Sequence, residues 1–256
     1  MTRAVIGEDE ALLREALVDA LARAWPELVI VAACEDGASA LEAIAEHRPD
    51  VAFLDIRMPG LTGLEVAAAA LDACPATQIV FVTAYDQYAI DAFETGAVDY
   101  LLKPVAGERL ERTVERVKAR IASGAGTDAA LAPLLAKLVA TLPKAAVSEP
   151  AKWLTASSGS TTRLILVDDV VYFRADNKYT VVVTAKGEAL LRKPIKDLLV
   201  VLDPGCFRQI HRSTIVNLRA IDSIVRDDTG KGTLKLRDRP ETLTVSQPFM
   251  ALFRSQ

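Results

Sequence analysis

The chain has 256 residues, 51% of them hydrophobic and 25% charged, a balance that excludes a disordered polymer and allows two globular domains of ordinary size. No apolar run is long enough to span a membrane, and the opening MTRAVIGEDE turns acidic too soon for a signal peptide. The net charge of −4 hides a division: residues 1–150 hold 13 Lys+Arg against 23 Asp+Glu, net −10, and residues 151–256 hold 17 against 11, net +6, so an anionic partner is expected for the second half. Cys34, Cys74 and Cys206 are odd in number and lack metal-ligand spacing, which reads as buried free thiols of a cytoplasmic protein.

The first half alternates. RAVI, LVIVAA, VAFL, QIVFVTA and DYLLKP are short apolar strands without polar alternation, and residues 10–24, 37–47, 64–73, 87–95 and 107–122 have helical period. Leu12, Leu13, Ala16, Leu17 and Ala20, for example, fall on one stripe. The fold class expected is α/β, a doubly wound five-stranded parallel sheet whose ligand lies at the carboxyl ends of the strands. In VAFLDIRMPG, the third strand ends at Asp55, and Pro59 and Gly60 then turn the chain. A strand buried on both faces has no use for an acid at its tip.

The other tips are also polar: Glu8 and Asp9 end the first strand, Thr83 the fourth, and Lys103 before Pro104 the fifth. Taken singly, Glu8 and Asp9 could cap a helix, Asp55 could start a turn, and Lys103 could be a solvated charge. Taken together, three converging carboxylates repel one another unless a cation joins them, and their oxygens suit Mg²⁺. Asp55 would be the nucleophile that forms an aspartyl phosphate, with Thr83 and Lys103 meeting the phosphoryl oxygens. A phosphatase using an aspartyl intermediate is a rival, but it wants a second acid two residues beyond the nucleophile, where Arg57 stands.

From Ser123 the composition changes. SGAGTD is a flexible break, and Leu131, Leu134, Leu135, Leu138, Val139 and Leu142 form a helical stripe that ends at Pro143. That stripe could pack on its own domains or on a second copy. After Lys152 the period is that of strands: RLILV, VVYFRA, YTVVVTA, EALLR, STIVNL, DSIVR, GTLKLRD and ETLTVS, interrupted by one helix around PIKDLLVVL. The second domain is expected to be mostly β and basic. Within FRQIHRSTIVNLRAIDSI, Arg208, His211, Arg212 and Asn217 stand beside a strand, followed by Arg219. Alone, this could be a charged edge that resists aggregation.

GEDE, LDIRMPGLTG and VTAYDQYAIDAFETGAVDYLLKP, at their spacing, make residues 1–122 resemble the receiver domain of two-component response regulators. The resemblance implies Asp55 as phosphoacceptor, Mg²⁺ held by Glu8, Asp9, Asp55 and the backbone carbonyl of Arg57, and Thr83 and Lys103 as phosphate partners. It also implies a cis bond before Pro104, Tyr100 as an aromatic switch, and a histidine kinase as donor. Such a domain takes up and loses its own phosphoryl group without being an enzyme in the ordinary sense. The expected output is homodimerisation through the fourth helix, fifth strand and fifth helix: Asp86 to Glu94, Val98 to Leu101, and Glu108 onward.

VVYFRADNKYTVVVT, CFRQIHRSTIVNLRAIDSI and TLTVSQPF make residues 152–256 similar to the LytTR-type DNA-binding domain of the LytR/AlgR family, with residues 123–151 as the linker. This implies a phosphorylation-controlled transcriptional regulator that reads repeated promoter half-sites through loops. By position, the reading candidates are Asn177 and Lys178 in a first loop, His211 and Arg212 in a second, and Gln247 in a third. Arg212 offers a fork to guanine, and Asn177 or Gln247 one to adenine; Lys178, Arg208, Arg219 and Lys231 suit phosphates. Gln247 stands where the family more often has arginine, so a weaker salt-dependent contact is expected there. A β domain that binds a protein partner instead of DNA is the alternative.

Overall fold

The computed structural model describes residues 1–84, 99–124, 150–158, 161–176, 178–227 and 230–253. The chain divides into two compact units, Met1–Leu142 and Pro143–Gln256. The expected helices over 87–95 and 131–142 fall outside the described residues, and elements are numbered without them.

The first unit runs β1 (Arg3–Gly7), α1 (Ala11–Ala24), β2 (Val29–Cys34), α2 (Gly37–His47), β3 (Val51–Asp55), α3 (Gly63–Ala73), β4 (Gln78–Thr83), β5 (Asp99–Leu102) and α4 (Gly107–Ser123). Its five strands form one parallel sheet in the order β2-β1-β3-β4-β5. β3 and β4 are buried at every position, which is why their sequences lack alternation. On one face, Leu17 and Leu21 of α1 and Leu110, Val114 and Val117 of α4 cover Ile6, Phe53, Val80 and Leu101. α2 and α3 pack on each other and bury Leu41, Ile44, Val66 and Ala70.

Local chemistry sets the helix ends. The Asp36 side chain caps α2 by accepting from the Ser39 N–H at 2.8 Å, and Thr62 and Glu65 close a reciprocal capping box on α3. Cys74 is buried, Cys34 and Cys206 are half-buried, and none is in a disulfide. Burial pushes the Cys34 thiol up to about 11.

The second unit runs β6 (Trp153–Ser158), β7 (Thr161–Leu166), β8 (Val170–Asp176), β9 (Tyr179–Thr184), β10 (Gly187–Leu191), α5 (Ile195–Val201), β11 (Phe207–His211), β12 (Thr214–Asn217), β13 (Ile221–Arg226), β14 (Gly232–Leu236) and β15 (Thr242–Val245). Seven strands form an antiparallel sheet in the order β11-β12-β8-β9-β10-β6-β7, and β13-β14-β15 form a second sheet. Leu198 of α5 packs with Leu154, Phe173, Val182, Leu191 and Ile215 on one face of the larger sheet. Phe173 and Phe207 meet there with ring centroids 5.8 Å apart.

Two strands, β6 and β11, were not among those expected from sequence. No strand is expected over WLTASS, yet Leu154 and Ala156 alternate inward with Thr155 outward. In FRQIH a register shift between Gln209 and His211 breaks the alternation that periodicity needs.

Candidate functional site

The carboxyl ends of β1, β3, β4 and β5 bring the polar tips of the first unit into one pocket. Glu8, Asp55 and Thr83 are buried, at 1%, 6% and 1% exposure, whereas Asp9 is exposed. The Lys103 ammonium lies 2.6 Å from Asp55 Oδ2 and 2.9 and 2.7 Å from the two oxygens of Glu8. Asp55 Oδ1 accepts from the Arg57 N–H at 3.2 Å. The Lys103 N–H donates to Thr83 O at 2.8 Å, and the Lys103–Pro104 peptide is cis.

Burial raises the pKa of Asp55 and Glu8, although the Lys103 ammonium works against it in both. Burial also works against the charge on Lys103, but its two carboxylate partners hold its pKa above the ordinary value. The pocket therefore keeps a cation between two acids that burial would otherwise neutralise. One ligand oxygen each from Glu8, Asp9 and Asp55 lies within 4.8 Å of the others. This all-oxygen set, two of whose members already close around an ammonium, fits a hard divalent cation.

α3 is seated directly against this pocket. Its first residue, Gly63, donates its N–H to Ile56 O at 3.0 Å, and a Cβ there would stand 2.1 Å from Asp55 O. Arg14 of α1 donates to Glu8 O at 2.7 Å and steadies the other side.

Tyr100, the expected switch, is half-buried on β5. The Arg109 guanidinium lies 5.1 Å from its ring centroid and donates to Tyr100 O at 3.1 Å. Asp99 binds Arg109 at 3.0 Å through one oxygen and Arg116 at 2.9 Å through the other. Sequence reasoning missed this cluster, although Arg109 and Arg116 are seven residues apart and so share a helix face. The remainder of the expected dimer face, Asp86 to Glu94 and Val98, lies outside the described residues.

In the second unit, two turns share one end of the seven-stranded sheet. Thr214 pairs with Arg174, and the Ala175 N–H donates to Ser213 O at 2.8 Å, so the β11–β12 turn lies beside the β8–β9 turn. Lys178 and Arg212 are exposed in these turns, and Asn177 lies outside the described residues. Buried Gln209 donates to Arg212 O at 3.3 Å and shapes the second turn. His211 Nδ1 lies 3.2 Å from the Ser213 N and 2.7 Å from the Ser213 Oγ, which fixes the ring against the second turn.

Ser246 donates its N–H to Ile210 O at 3.2 Å, which brings Gln247 near His211. Gln247 also lies close to Gly230, beside Lys231. Arg208 is half-buried within β11, and Arg219 lies beyond the far end of β12, apart from the two turns. Asn217 is buried, donating to Val170 O at 2.8 Å and accepting from the Arg219 N–H at 3.0 Å, so its amide serves the fold.

Residues 4–115 match the response regulator receiver domain, and residues 160–256 match the LytTr DNA-binding domain. An uncharacterized response regulatory protein of Vibrio cholerae is 42% identical over 98% of this chain and 97% of its own length. The positive alginate biosynthesis regulatory protein of Pseudomonas aeruginosa is 33% identical over 96% of this chain and 95% of its own. The transcriptional regulatory protein BtsR of Escherichia coli is 32% identical over 93% and 92%.

Proposed function

The chain belongs to the response regulators that join a receiver domain to a LytTR DNA-binding domain, the LytR/AlgR type, and from that premise we propose that Asp55 is the phosphoacceptor whose modification governs promoter binding. The receiver comprises residues 1–122, the linker 123–151 and the DNA-binding domain 152–256. The observation that carries the proposal is the Lys103 ammonium held against both buried carboxylates at the strand ends.

Asp55 attacks the phosphorus of a phosphohistidine on a sensor kinase. A P–O bond forms as the P–N bond breaks, and the imidazole leaves with a proton from water. Lys103 moves from the carboxylate to a phosphoryl oxygen, and the Thr83 hydroxyl donates to another. Glu8, Asp9, Asp55 and the Arg57 carbonyl would hold Mg²⁺, which when bound would supply charge neutralisation for the incoming group. Withdrawal of Lys103 and Thr83 toward the phosphate makes room for Tyr100 to turn inward, out from under Arg109, which biases a pre-existing equilibrium.

The output is DNA binding by a cytoplasmic homodimer on repeated half-sites. Arg212, His211, Asn177 and Gln247 face bases, and Lys178, Lys231, Arg208 and Arg219 are left to phosphates. Among the described residues no helix is long and apolar enough to cross a membrane. The first test incubates the full chain with acetyl phosphate and magnesium. Intact mass should rise by one phosphoryl group in the wild type and not in Asp55→Asn; equal labelling of both would move the acceptor elsewhere.

A further inference from the structure

β10 brings a second pair of cations to the sheet end that carries the reading turns. Leu191 pairs with Thr180 on β9, and Thr180 Oγ1 donates to Lys193 O at 2.8 Å. Thr180 pairs in turn with Ala175, the residue that bonds to Ser213 in the β11–β12 turn. Arg192 and Lys193 therefore leave the sheet beside Lys178, Arg192 exposed and Lys193 half-buried.

Charge is polarised along these strands. The reading end presents Arg174, Lys178, Arg192, Lys193 and Arg212 with one acid, Asp176, whereas the opposite end mixes Asp168, Asp169 and Asp203 with Lys186 and Arg219. Protection of an open edge does not explain Arg192 and Lys193, because β10 lies inside the sheet between β9 and β6. At about 4.8 Å per strand, β10 stands roughly 17 Å from the middle of the β11–β12 turn. A major groove is about 12 Å wide, so with Arg212 in the groove this pair falls beyond its wall.

We propose, on the DNA-binding reading above, that Arg192 and Lys193 form a clamp on the phosphate backbone flanking the base-reading turns. They contribute affinity and fix the angle of the domain on the duplex, without reading sequence. A tryptophan reports on the same place. Trp153, 60% exposed, lines a hollow of about 360 Å³ together with Arg192 and Lys193, whereas Trp25 is 2% exposed in the receiver core.

The test uses full-length protein and a duplex that the wild type selects from a random-sequence pool. Arg192→Ala/Lys193→Ala should weaken binding on the order of tenfold and lower the slope of log K against log salt by about 2, with the selected sequence unchanged. DNA should also shield Trp153 from acrylamide in the wild type. If the alanine pair loses its cooperative melt, Arg192→Gln/Lys193→Gln keeps the stems and should give the same two shifts. A wild type that selects a sequence, with variants of unchanged affinity and slope, would overturn the clamp alone. DNA that binds while leaving Trp153 equally open to quencher would do the same. A wild type that selects nothing would overturn the DNA-binding reading along with it.

Discussion

At the scale of single residues, Lys103 is the group on which the receiver pocket depends. Its side chain is 10% exposed, and the ammonium touches Glu8 and Asp55, which are themselves almost fully covered. Removing one partner of a buried ion pair leaves the other charges uncompensated, at a cost of about 3 kcal/mol. Lys103→Met should therefore lower the urea-unfolding free energy of the receiver by about that amount. Magnesium should restore part of it, because Glu8, Asp9 and Asp55 then have another cation to close upon. Asp55→Asn should cost much less, since it removes a like charge and leaves the Lys103–Glu8 bridge. Equal losses in the two variants would show that the ammonium is not what holds the acids together. The sequence shows that these tips converge, because apolar runs locate strand ends. It does not show that Lys103 rests on the acids before any phosphate arrives, since that contact joins residues 95 positions apart.

At the scale of elements, α3 and β3 form one unit through a glycine. Gly63 is the first residue of α3, and its missing Cβ is what lets the helix lie against the backbone of Asp55. Alanine is the better helix former by about 1 kcal/mol, so propensity alone makes Gly63→Ala stabilising. The contact reverses that sign: a Cβ 2.1 Å from a backbone oxygen forces the strand end and the helix apart. Gly63→Ala should lower the thermal midpoint and slow phosphorylation by acetyl phosphate. Thr62→Ala, which loses only the cap, should cost about 1 kcal/mol and leave the labelling rate alone. A Gly63→Ala variant as stable and as quickly labelled as the wild type would remove this coupling. LTG is legible as a turn before a helix, but a close approach of two backbones is not written in any local pattern. β6 and β11 escaped for related reasons: one has only two inward apolar residues, Leu154 and Ala156, before its serines, and the other carries a bulge. Arg192 and Lys193 look like the frayed end of a strand until the pairing of β8, β9 and β10 lines them up with the turns.

At the scale of the whole molecule, charge sets what phosphorylation must overcome. Residues 1–150 already carry net −10, and an aspartyl phosphate, replacing the Asp55 carboxylate, adds about one more negative charge. Overall electrostatics thus oppose the approach of two receivers, and the proposed dimerisation would need a local face that is not acidic. The β5–α4 surface meets that need, since Arg109 and Arg116 are 35% and 53% exposed while their acid, Asp99, is 9% exposed. Arg109 and Arg116 give this part of the face an exposed positive patch, so a second receiver would meet them with carboxylates and salt would weaken the pair. Beryllofluoride with magnesium should therefore convert the wild type from monomer to dimer in sedimentation velocity, more completely at low salt. It should leave Asp55→Asn and Arg109→Glu/Arg116→Glu monomeric. On the proposed dimer, two linked DNA-binding domains would engage paired half-sites with an affinity that neither reaches alone. Unchanged sedimentation of the wild type, or full dimerisation of the charge-reversed variant, would detach the output from this face.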